Sequence, residues 1–351
     1  MASAYAAGYM VAVPVLSTLT DRMDARRILL VGSLLSGLAT IAFGLLASGL
    51  LSAMVIWCVA GIGFAGAYMP GLKALTDRLE PGDASRNITL YTSSFSLGVG
   101  LSFLASQLIA DAWGWRLAFI LTGLGPLVMV ITALLMKPVP PPPPTGRLLD
   151  FRPVVRNRTA MGYILGYGAH CFELYGMRTW IVAFWTFVVA RNGPATPLDP
   201  IAISVAVTVL AMPASILGNE AAIRFGRHRA ISVIQLASAA VGIAIGLAAG
   251  TSPWLLLGLV LLYAITVPAD SGSLTSGMTA SADPRYRGAT MALHSTIGFG
   301  VSALGGWLVG AALDAGGGAG NATAWLAAFA VMAGGILCGH LVLWWSRSGT
   351  T

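Results

Sequence analysis

Two acidic residues, Glu173 and Asp270, stand inside long apolar stretches of the sequence. An ionised carboxylate in a hydrocarbon environment costs several kcal/mol unless it is paired, hydrated or protonated, so each of them needs a physical reason. His170 precedes Glu173 by three residues and shares its helical face, and Arg178 follows about a turn and a half later. This pattern is typical of groups that exchange protons or bind a polar solute.

Two interpretations of Glu173 stay open. In the first, Glu173 faces a central cavity and titrates, with His170 as its partner. In the second, Glu173 is neutral and hydrogen-bonded inside a helix bundle, or it forms a structural pair with Arg178.

Asp270 lies between Pro268 and Gly272, which can break a helix and free backbone carbonyls beside a cavity. A structural contact between Asp270 and nearby hydroxyl groups is the favoured interpretation, and a role in coupling is the alternative. Four amphipathic side chains are further candidates for lining a cavity, although packing with a satisfied polar tip is favoured for each: Tyr68, Tyr91, Tyr175 and His294.

The composition places these residues in a membrane protein. Of 351 residues, 56% are hydrophobic and only 9% are charged, too few charges to cover the surface of a soluble domain. The net charge of +7 comes from short arginine clusters between apolar runs, a pattern that excludes a nucleic-acid-binding face. No phosphate loop, nucleophile triad or metal-ligand spacing occurs, so the sequence predicts no enzyme, cofactor or metal site.

The apolar runs predict an all-α polytopic fold. A bilayer core of about 30 Å requires roughly twenty apolar residues per helix. Eleven stretches meet this length, at 2–19, 28–47, 51–72, 88–110, 115–136, 160–189, 201–217, 230–249, 253–275, 289–313 and 324–345. The basic clusters fall in alternate loops, which places those loops in the cytoplasm, with Met1 outside and Thr351 inside.

A proline-rich stretch, KPVPPPPPTGRLLDFRPVVRNR, predicts a stiff cytoplasmic linker over residues 137–159. The linker separates an N-terminal helical bundle, residues 1–136, from a C-terminal bundle, residues 160–351. The two parts repeat at an offset of about 200 residues. The matching residues are Arg22 and Arg27 with Arg224 and Arg229, Pro70 with Pro268, and Gly98 and Gly100 with Gly298 and Gly300.

The repeat predicts an incomplete first half. Two predicted helices precede the second charged loop, IRFGRHR, whereas one precedes the first, LTDRMDARR. The offset places the start of the first half roughly forty residues before Met1. We therefore expect that the chain lacks its first transmembrane helix, through a late-assigned start or a true truncation.

Two copies of one loop motif resemble the major facilitator superfamily. STLTDRMDARR is similar to the family signature between helices two and three, and GNEAAIRFGRHR is similar to its second copy. GWRLAF and PRYRGATMALHS also resemble family segments. Ser17 and Asp24 replace usual glycines, Ile223 replaces the usual aspartate, and the Gly-Pro signature of drug antiporters is missing from the SSFSLGVG helix.

The resemblance implies a cytoplasmic gate. We expect Asp21 and Arg22 to make charge-assisted contacts with a facing helix N-terminus or with basic side chains, and such contacts must break when the cytoplasmic side opens. The segment DPRYRG, with Asp283 as N-cap and Pro284 in the first turn, supplies the N-terminus of the predicted partner helix. Topology anchoring is the alternative. The residues assigned to the gate are Asp21, Arg22, Arg26, Arg27, Arg224, Arg227 and Arg229.

The sequence therefore predicts a secondary active transporter that moves a small solute by alternating access. Protons are the candidate coupling ion. The alternative is a non-transporting membrane sensor or an inactive truncated permease. We expect a multi-pass monomer in the plasma membrane, and the Ala- and Gly-rich composition suggests a bacterial inner membrane. Four glycines of the penultimate predicted helix are expected to permit close helix packing: Gly298, Gly300, Gly305 and Gly306.

Overall fold

A computed structural model describes residues 2–80, 82–141, 143 and 147–347. Four residues of the predicted linker, 142 and 144–146, lie outside the described residues, as do Met1 and Thr351, on which the predicted orientation of the termini rests.

The described residues form helices and contain no strand. The α-helices are α1 (Ala2–Leu19), α2 (Ala25–Leu46), α3 (Leu50–Thr76), α4 (Ala84–Trp113), α5 (Trp115–Thr122), α6 (Leu124–Leu135), α7 (Arg152–Arg156), α8 (Arg158–Asn192), α9 (Pro200–Phe225), α10 (Arg227–Ala248), α11 (Pro253–Thr266), α12 (Ser271–Ser281), α13 (Arg287–Ala315) and α14 (Ala322–Arg347). Three short 3₁₀ turns occupy Gly193–Ala195, Val267–Asp270 and Pro284–Tyr286.

The predicted all-α membrane fold is confirmed. Each predicted apolar stretch contains a helix, with α5 and α6 sharing one stretch and α11 and α12 sharing another. Nine helical stretches of the described chain are long and apolar enough to cross a membrane, and Ser3–Leu19 is a shorter apolar helix. The polar residues of α8 exclude it from that group, although its 35 residues give it ample length.

Local sequence explains where several helices begin and end. Asp24 caps α2 by accepting a hydrogen bond from the backbone N–H of Arg26. Asp199 caps α9 in the same way, and Pro200 occupies the first helical position, where no N–H is needed. Gly226 has a φ of 91°, a conformation that favours glycine, and it separates α9 from α10.

The chain divides into two compact units. Unit one comprises Met1–Ala84, Gly98–Asn157 and Ser281–Thr296, and unit two comprises Ser85–Leu97, Arg158–Ala280 and Ile297–Thr351. In unit one, α3 packs against α1 and α2, and α2 also packs against α5 and α6. In unit two, α8 and α10 pack against α9 and α14. Each unit includes one segment from the other side of the linker in the sequence: unit one includes Ser281–Thr296, and unit two includes Ser85–Leu97. The predicted division into 1–136, 137–159 and 160–351 stays a prediction.

The core of unit two is aromatic. Phe184 meets Trp325 and Phe329 edge to face at centroid distances of 5.0 and 5.1 Å. The ring of Tyr263 lies 6.0 Å from that of Phe329. Aromatic pairs with this geometry stabilise by about 0.5–1.5 kcal/mol beyond their buried area. This aromatic cluster fixes the positions of α8, α11 and α14. Helix α8 carries His170 and Glu173, and the turn that follows α11 carries Asp270.

Glycine allows α13 to approach α8 closely. A Cβ atom on Gly305 would overlap the backbone carbonyl of Phe172, and one on Gly298 would overlap the ring of Tyr167. The packing role predicted for these two glycines is therefore confirmed.

Gly305→Ala is expected to lower the midpoint of thermal unfolding in detergent by several degrees, because helix backbones must separate to make room for the methyl group. Overpacking of this kind costs about 1–3 kcal/mol. Gly334→Ala is the matched control, since it lies within α14 and a Cβ atom there meets nothing within 4 Å. Equal midpoints for the two variants would contradict the close packing of α13 on α8.

Candidate functional site

The carboxylate of Asp21 binds the first turn of α13. Its Oδ1 accepts a hydrogen bond from the backbone N–H of Gly288 at 2.6 Å, and its Oδ2 accepts one from Ala289 at 2.9 Å. Asp283 caps the preceding 3₁₀ turn by accepting a hydrogen bond from the N–H of Arg285. An anion at a helix N-terminus satisfies otherwise unpaired N–H groups and interacts favourably with the helix dipole. We call this contact the first latch.

Charged residues of α3 and α13 surround the first latch. Lys73 is only 2% exposed and donates a hydrogen bond to Asp77 at 2.8 Å, and Arg287 lies 3.6 Å from the other oxygen of Asp77. Burial raises the pKa of Asp21 to about 6, although the hydrogen bonds from Gly288 and Ala289 and the charge of Lys73 act to lower it. A small cavity beside Asp21 is lined by further charged residues, namely Arg22, Arg147, Asp150 and Arg285.

Asp24 ties the same loop to the end of α6. It accepts hydrogen bonds from the backbone of Val139 at 3.1 Å and from the guanidinium of Arg78 at 3.3 Å. Arg26 donates to the carbonyl of Met136 at 2.8 Å. Burial acts to raise the pKa of Asp24, but these hydrogen bonds, with the one from the Arg26 backbone, outweigh it and hold the pKa below its ordinary value. Asp24, which stands where the family usually has a glycine, thus adds side-chain contacts to this loop.

The second motif copy meets the N-terminus of α4 through different residues. Asn219 accepts a hydrogen bond from the hydroxyl of Ser85 at 3.1 Å, and the guanidinium of Arg86 binds both oxygens of Glu220 at 2.7 and 2.9 Å. Arg227 also donates to the hydroxyl of Ser85, at 3.0 Å. We call these contacts the second latch. Four other predicted gate residues, Arg22, Arg27, Arg224 and Arg229, have exposed side chains.

A second polar site lies among apolar residues of unit two. The Nδ1 atom of His170 lies 2.6 Å from Oδ1 of Asp270, and both side chains are at most 2% exposed. Gln235 donates a hydrogen bond to the other oxygen of Asp270 at 3.0 Å. His170 therefore contacts Asp270, because α8 packs it against the 3₁₀ turn that carries Asp270, whereas the first of the two interpretations had named His170 as the partner of Glu173. The expected contact between Asp270 and hydroxyl groups is also replaced by these two partners.

Glu173 binds two hydroxyl groups inside the bundle. Its Oε1 accepts hydrogen bonds from Ser238 at 2.8 Å and from Tyr263 at 2.9 Å, and the residue is 1% exposed. These contacts match the second interpretation, in which Glu173 is hydrogen-bonded inside a helix bundle. Within the described part of the chain, no ion pair joins Glu173 to Arg178. The buried carboxylate cluster comprises His170, Glu173, Gln235, Ser238, Tyr263 and Asp270.

Helix α10 organises this cluster. Gln235 and Ser238 are three residues apart on α10, so one face of the helix reaches both carboxyl groups. Asp270 ends the 3₁₀ turn Val267–Asp270, which interrupts the helix between α11 and α12 as Pro268 predicted.

The remaining predicted site residues make other contacts. Arg178 donates a hydrogen bond to Ser96 at 2.9 Å, and its guanidinium carbon lies 6.0 Å from the ring centre of Tyr175. Tyr68 stacks on Phe64 with centroids 5.6 Å apart. Tyr91 is partly buried, and His294 is fully buried beside Ser295, which bonds the hydroxyl of Tyr9 at 2.5 Å. Tyr68 and His294 belong to unit one, whereas Tyr91 and Tyr175 belong to unit two.

Sequence reasoning missed the uncharged partners and one buried cation. Polar residues three apart in an otherwise apolar helix were the available signal for Gln235 and Ser238. Lys73 directly follows the predicted apolar stretch 51–72 and counted only among the basic residues that set the orientation, although α3 continues past it to Thr76.

Comparisons with known proteins identify the family and the fold. Human Monocarboxylate transporter 11 is 30% identical over 187 residues, which cover 50% of this chain and 36% of that protein, so the match spans about a third of its length. The E. coli fucose:proton symporter FucP matches with a TM-score of 0.70 and 14% identity, over 100% of this chain and 91% of that chain. FucP in the outward conformation matches with a TM-score of 0.71 and 16% identity, over 99% and 89%. The family model of the Major Facilitator Superfamily matches residues 1–305, and the chain belongs to this superfamily.

Proposed function

We propose that this protein is a secondary active transporter that moves a small solute across the membrane by alternating access, coupled to protons. The observation that carries the proposal is the first latch, in which a buried carboxylate holds the N-terminus of a helix from the other sequence repeat. The repeat, the proline-rich linker and the two latches support two bundles that rock about a central site. We further propose that the protein acts as a monomer in a plasma membrane.

The two latches suit a gate on the cytoplasmic side. Asp21 follows α1 and binds α13, whereas Glu220 lies in α9 and binds the start of α4, so each latch joins one repeat to the other. Opening requires water to replace the hydrogen bonds at both helix N-termini. Such exchange costs little when water can reach the freed N–H groups and carboxylates, so the latches can break and re-form in each cycle.

The contact between His170 and Asp270 is the proposed proton-coupling site. A ring nitrogen and a carboxylate oxygen only 2.6 Å apart are close enough to share a proton. Loss of that proton would leave a net negative charge in an apolar interior, which is costly until water enters. Proton release is thereby tied to a change of conformation, and the broken helix at Val267–Asp270 supplies a place for that change.

Asp21→Ala is expected to raise the open fraction of the cytoplasmic side by about tenfold or more, because two buried N–H groups lose a charged acceptor worth at least about 1.5 kcal/mol. The measurement is the distance distribution between spin labels on Glu80→Cys and Arg285→Cys, in a background without the three native cysteines. Asp111→Ala removes an exposed carboxylate of α4 and serves as the control. A distribution unchanged by Asp21→Ala would contradict the gate.

The same labels are expected to report a pH dependence. Closing buries Asp21 and raises its pKa from 3.8 to about 6, so the closed state takes up a proton. This contribution to closing is fully present below the ordinary pKa and is lost as the pH rises through about 6. The ratio of closed to open should therefore increase about tenfold from pH 7 to pH 5. Asp21→Ala should abolish that increase, and an equal increase in the variant would assign the titration to another group.

Asp270→Asn is expected to abolish solute accumulation driven by a pH gradient in reconstituted vesicles while solute exchange without a gradient persists. L-lactate and L-fucose are the first labelled solutes, within a panel of monocarboxylates and sugars, because the relatives' names indicate these classes. Glu173→Gln keeps the acceptor for Ser238 and Tyr263, so it should retain gradient-driven accumulation.

Three results would change this assignment. Accumulation by Asp270→Asn at the wild-type level would contradict coupling at Asp270. Loss of the gradient response in Glu173→Gln alone would return the coupling role to Glu173. Absence of flux for every solute of the panel in the wild-type protein would favour the non-transporting alternative.

A further inference from the structure

We infer that Arg178, together with the hydroxyl of Ser96, binds the carboxylate group of an anionic solute. The inference names the substrate class for the transport proposed above and therefore rests on it. Its basis is the position of Arg178, its partners, and the absence of a carboxylate oxygen within 4.0 Å of its guanidinium among the described residues.

Arg178 places a permanent positive charge at membrane depth. It lies in the 35-residue helix α8, within about 5 Å of the helix midpoint along the axis. A guanidinium group does not lose its proton at accessible pH, so burial cannot neutralise it. A cation at this depth requires compensation by a carboxylate, by water or by a bound anion.

The described residues supply no such carboxylate. None of them places a carboxylate oxygen within 4.0 Å of the Arg178 guanidinium. Neither acid of the buried carboxylate cluster lies that close to Arg178: Glu173 binds Ser238 and Tyr263 through Oε1, and Asp270 contacts His170 and Gln235. The contacts of Arg178 are the neutral hydroxyl of Ser96 and the ring of Tyr175, which leave most of its five N–H donors for a ligand.

The contact between Arg178 and Ser96 joins α8 to α4, helices that come from different sequence repeats. Solute sites in transporters of repeated architecture form where the repeats meet, near the bilayer midplane. Both side chains are partly rather than fully buried, as a solute site requires. Tyr175 adds an amphipathic wall three residues from Arg178 on the same helical face.

The planar guanidinium distinguishes between anions and neutral solutes. It can donate two parallel hydrogen bonds to a carboxylate, while the Ser96 hydroxyl donates a third. An amide of the same shape has one acceptor oxygen and no charge, so it loses both the fork geometry and the charge. We therefore use L-lactate and its amide, lactamide, as matched probes.

The experiment measures binding of L-lactate and lactamide to the purified full-length protein in detergent by titration calorimetry, with a thermal shift assay in parallel. The wild-type protein is expected to bind L-lactate at least about 30-fold more tightly than lactamide, the ratio that corresponds to loss of a buried charged contact. Arg178→Gln should lose this preference, and Arg178→Lys should keep the charge but bind L-lactate about tenfold more weakly than wild type. Arg191→Gln, at the exposed end of α8, should bind L-lactate as wild type does.

The binding assay separates this inference from the proposal of transport. Selective L-lactate binding that depends on Arg178, without vesicle flux, would support the anion site and contradict transport. Flux of L-fucose with no carboxylate preference would support transport and overturn the anion site. Equal binding of L-lactate and lactamide by the wild-type protein would also overturn the anion site. Full retention of the preference for L-lactate in both Arg178→Gln and Arg178→Lys would do the same. If Arg178→Gln does not fold, Arg178→Lys still allows this test.

Discussion

The arrangement at the cytoplasmic end depends on a buried carboxylate placed on the first N–H groups of α13. Asp21 is 7% exposed, and its charge is tolerated because two backbone donors, a helix dipole and the cation of Lys73 face it. The contact also constrains the opposite residue. A Cβ atom on Gly288 would overlap the carbonyl of Ser17 and the hydroxyl of Thr20, so only glycine lets the loop and the helix approach this closely. The close approach of the loop and α13 therefore requires both Asp21 and Gly288, although the two residues are far apart in the sequence.

The two motif copies perform the same task with unequal strength. The second latch relies on an ion pair between Arg86 and Glu220 whose side chains are 57% and 41% exposed. Exposed pairs of this kind contribute little, because water screens the charges and two long side chains lose conformational entropy. Ile223 stands where the family carries an aspartate, so no carboxylate binds the start of α4 from that position. Under the proposed gate, the first copy supplies most of the free energy of closing, and the second copy mainly fixes the position of α4 through Asn219 and Ser85.

The length of the apolar runs was sufficient to predict the helices, because a backbone in lipid has few alternatives to helical hydrogen bonding. Capping rules likewise predicted that a helix begins near Asp283, and the family resemblance implied the contact of Asp21 with a facing helix N-terminus. Helical spacing was insufficient for the buried carboxylate cluster. It established that His170 and Glu173 share a face, but the partner of each depends on how α8 packs against α10 and against a turn about a hundred residues later. Hydroxyl and amide partners such as Ser238 and Gln235 carry no charge and leave a weak signal in the sequence.

The charges of unit two give a physical reason for moving an anion and a proton together. Arg178 keeps its charge in every state, whereas the contact between His170 and Asp270 gains a negative charge when its proton leaves. Under the proposed mechanism, a bound carboxylate neutralises Arg178, and a bound proton neutralises the pair of His170 and Asp270. The loaded protein then carries fewer uncompensated charges at membrane depth than a protein loaded with either species alone. Rearrangement of the half-loaded states is correspondingly costly, and that difference couples the flux of the solute to the flux of protons.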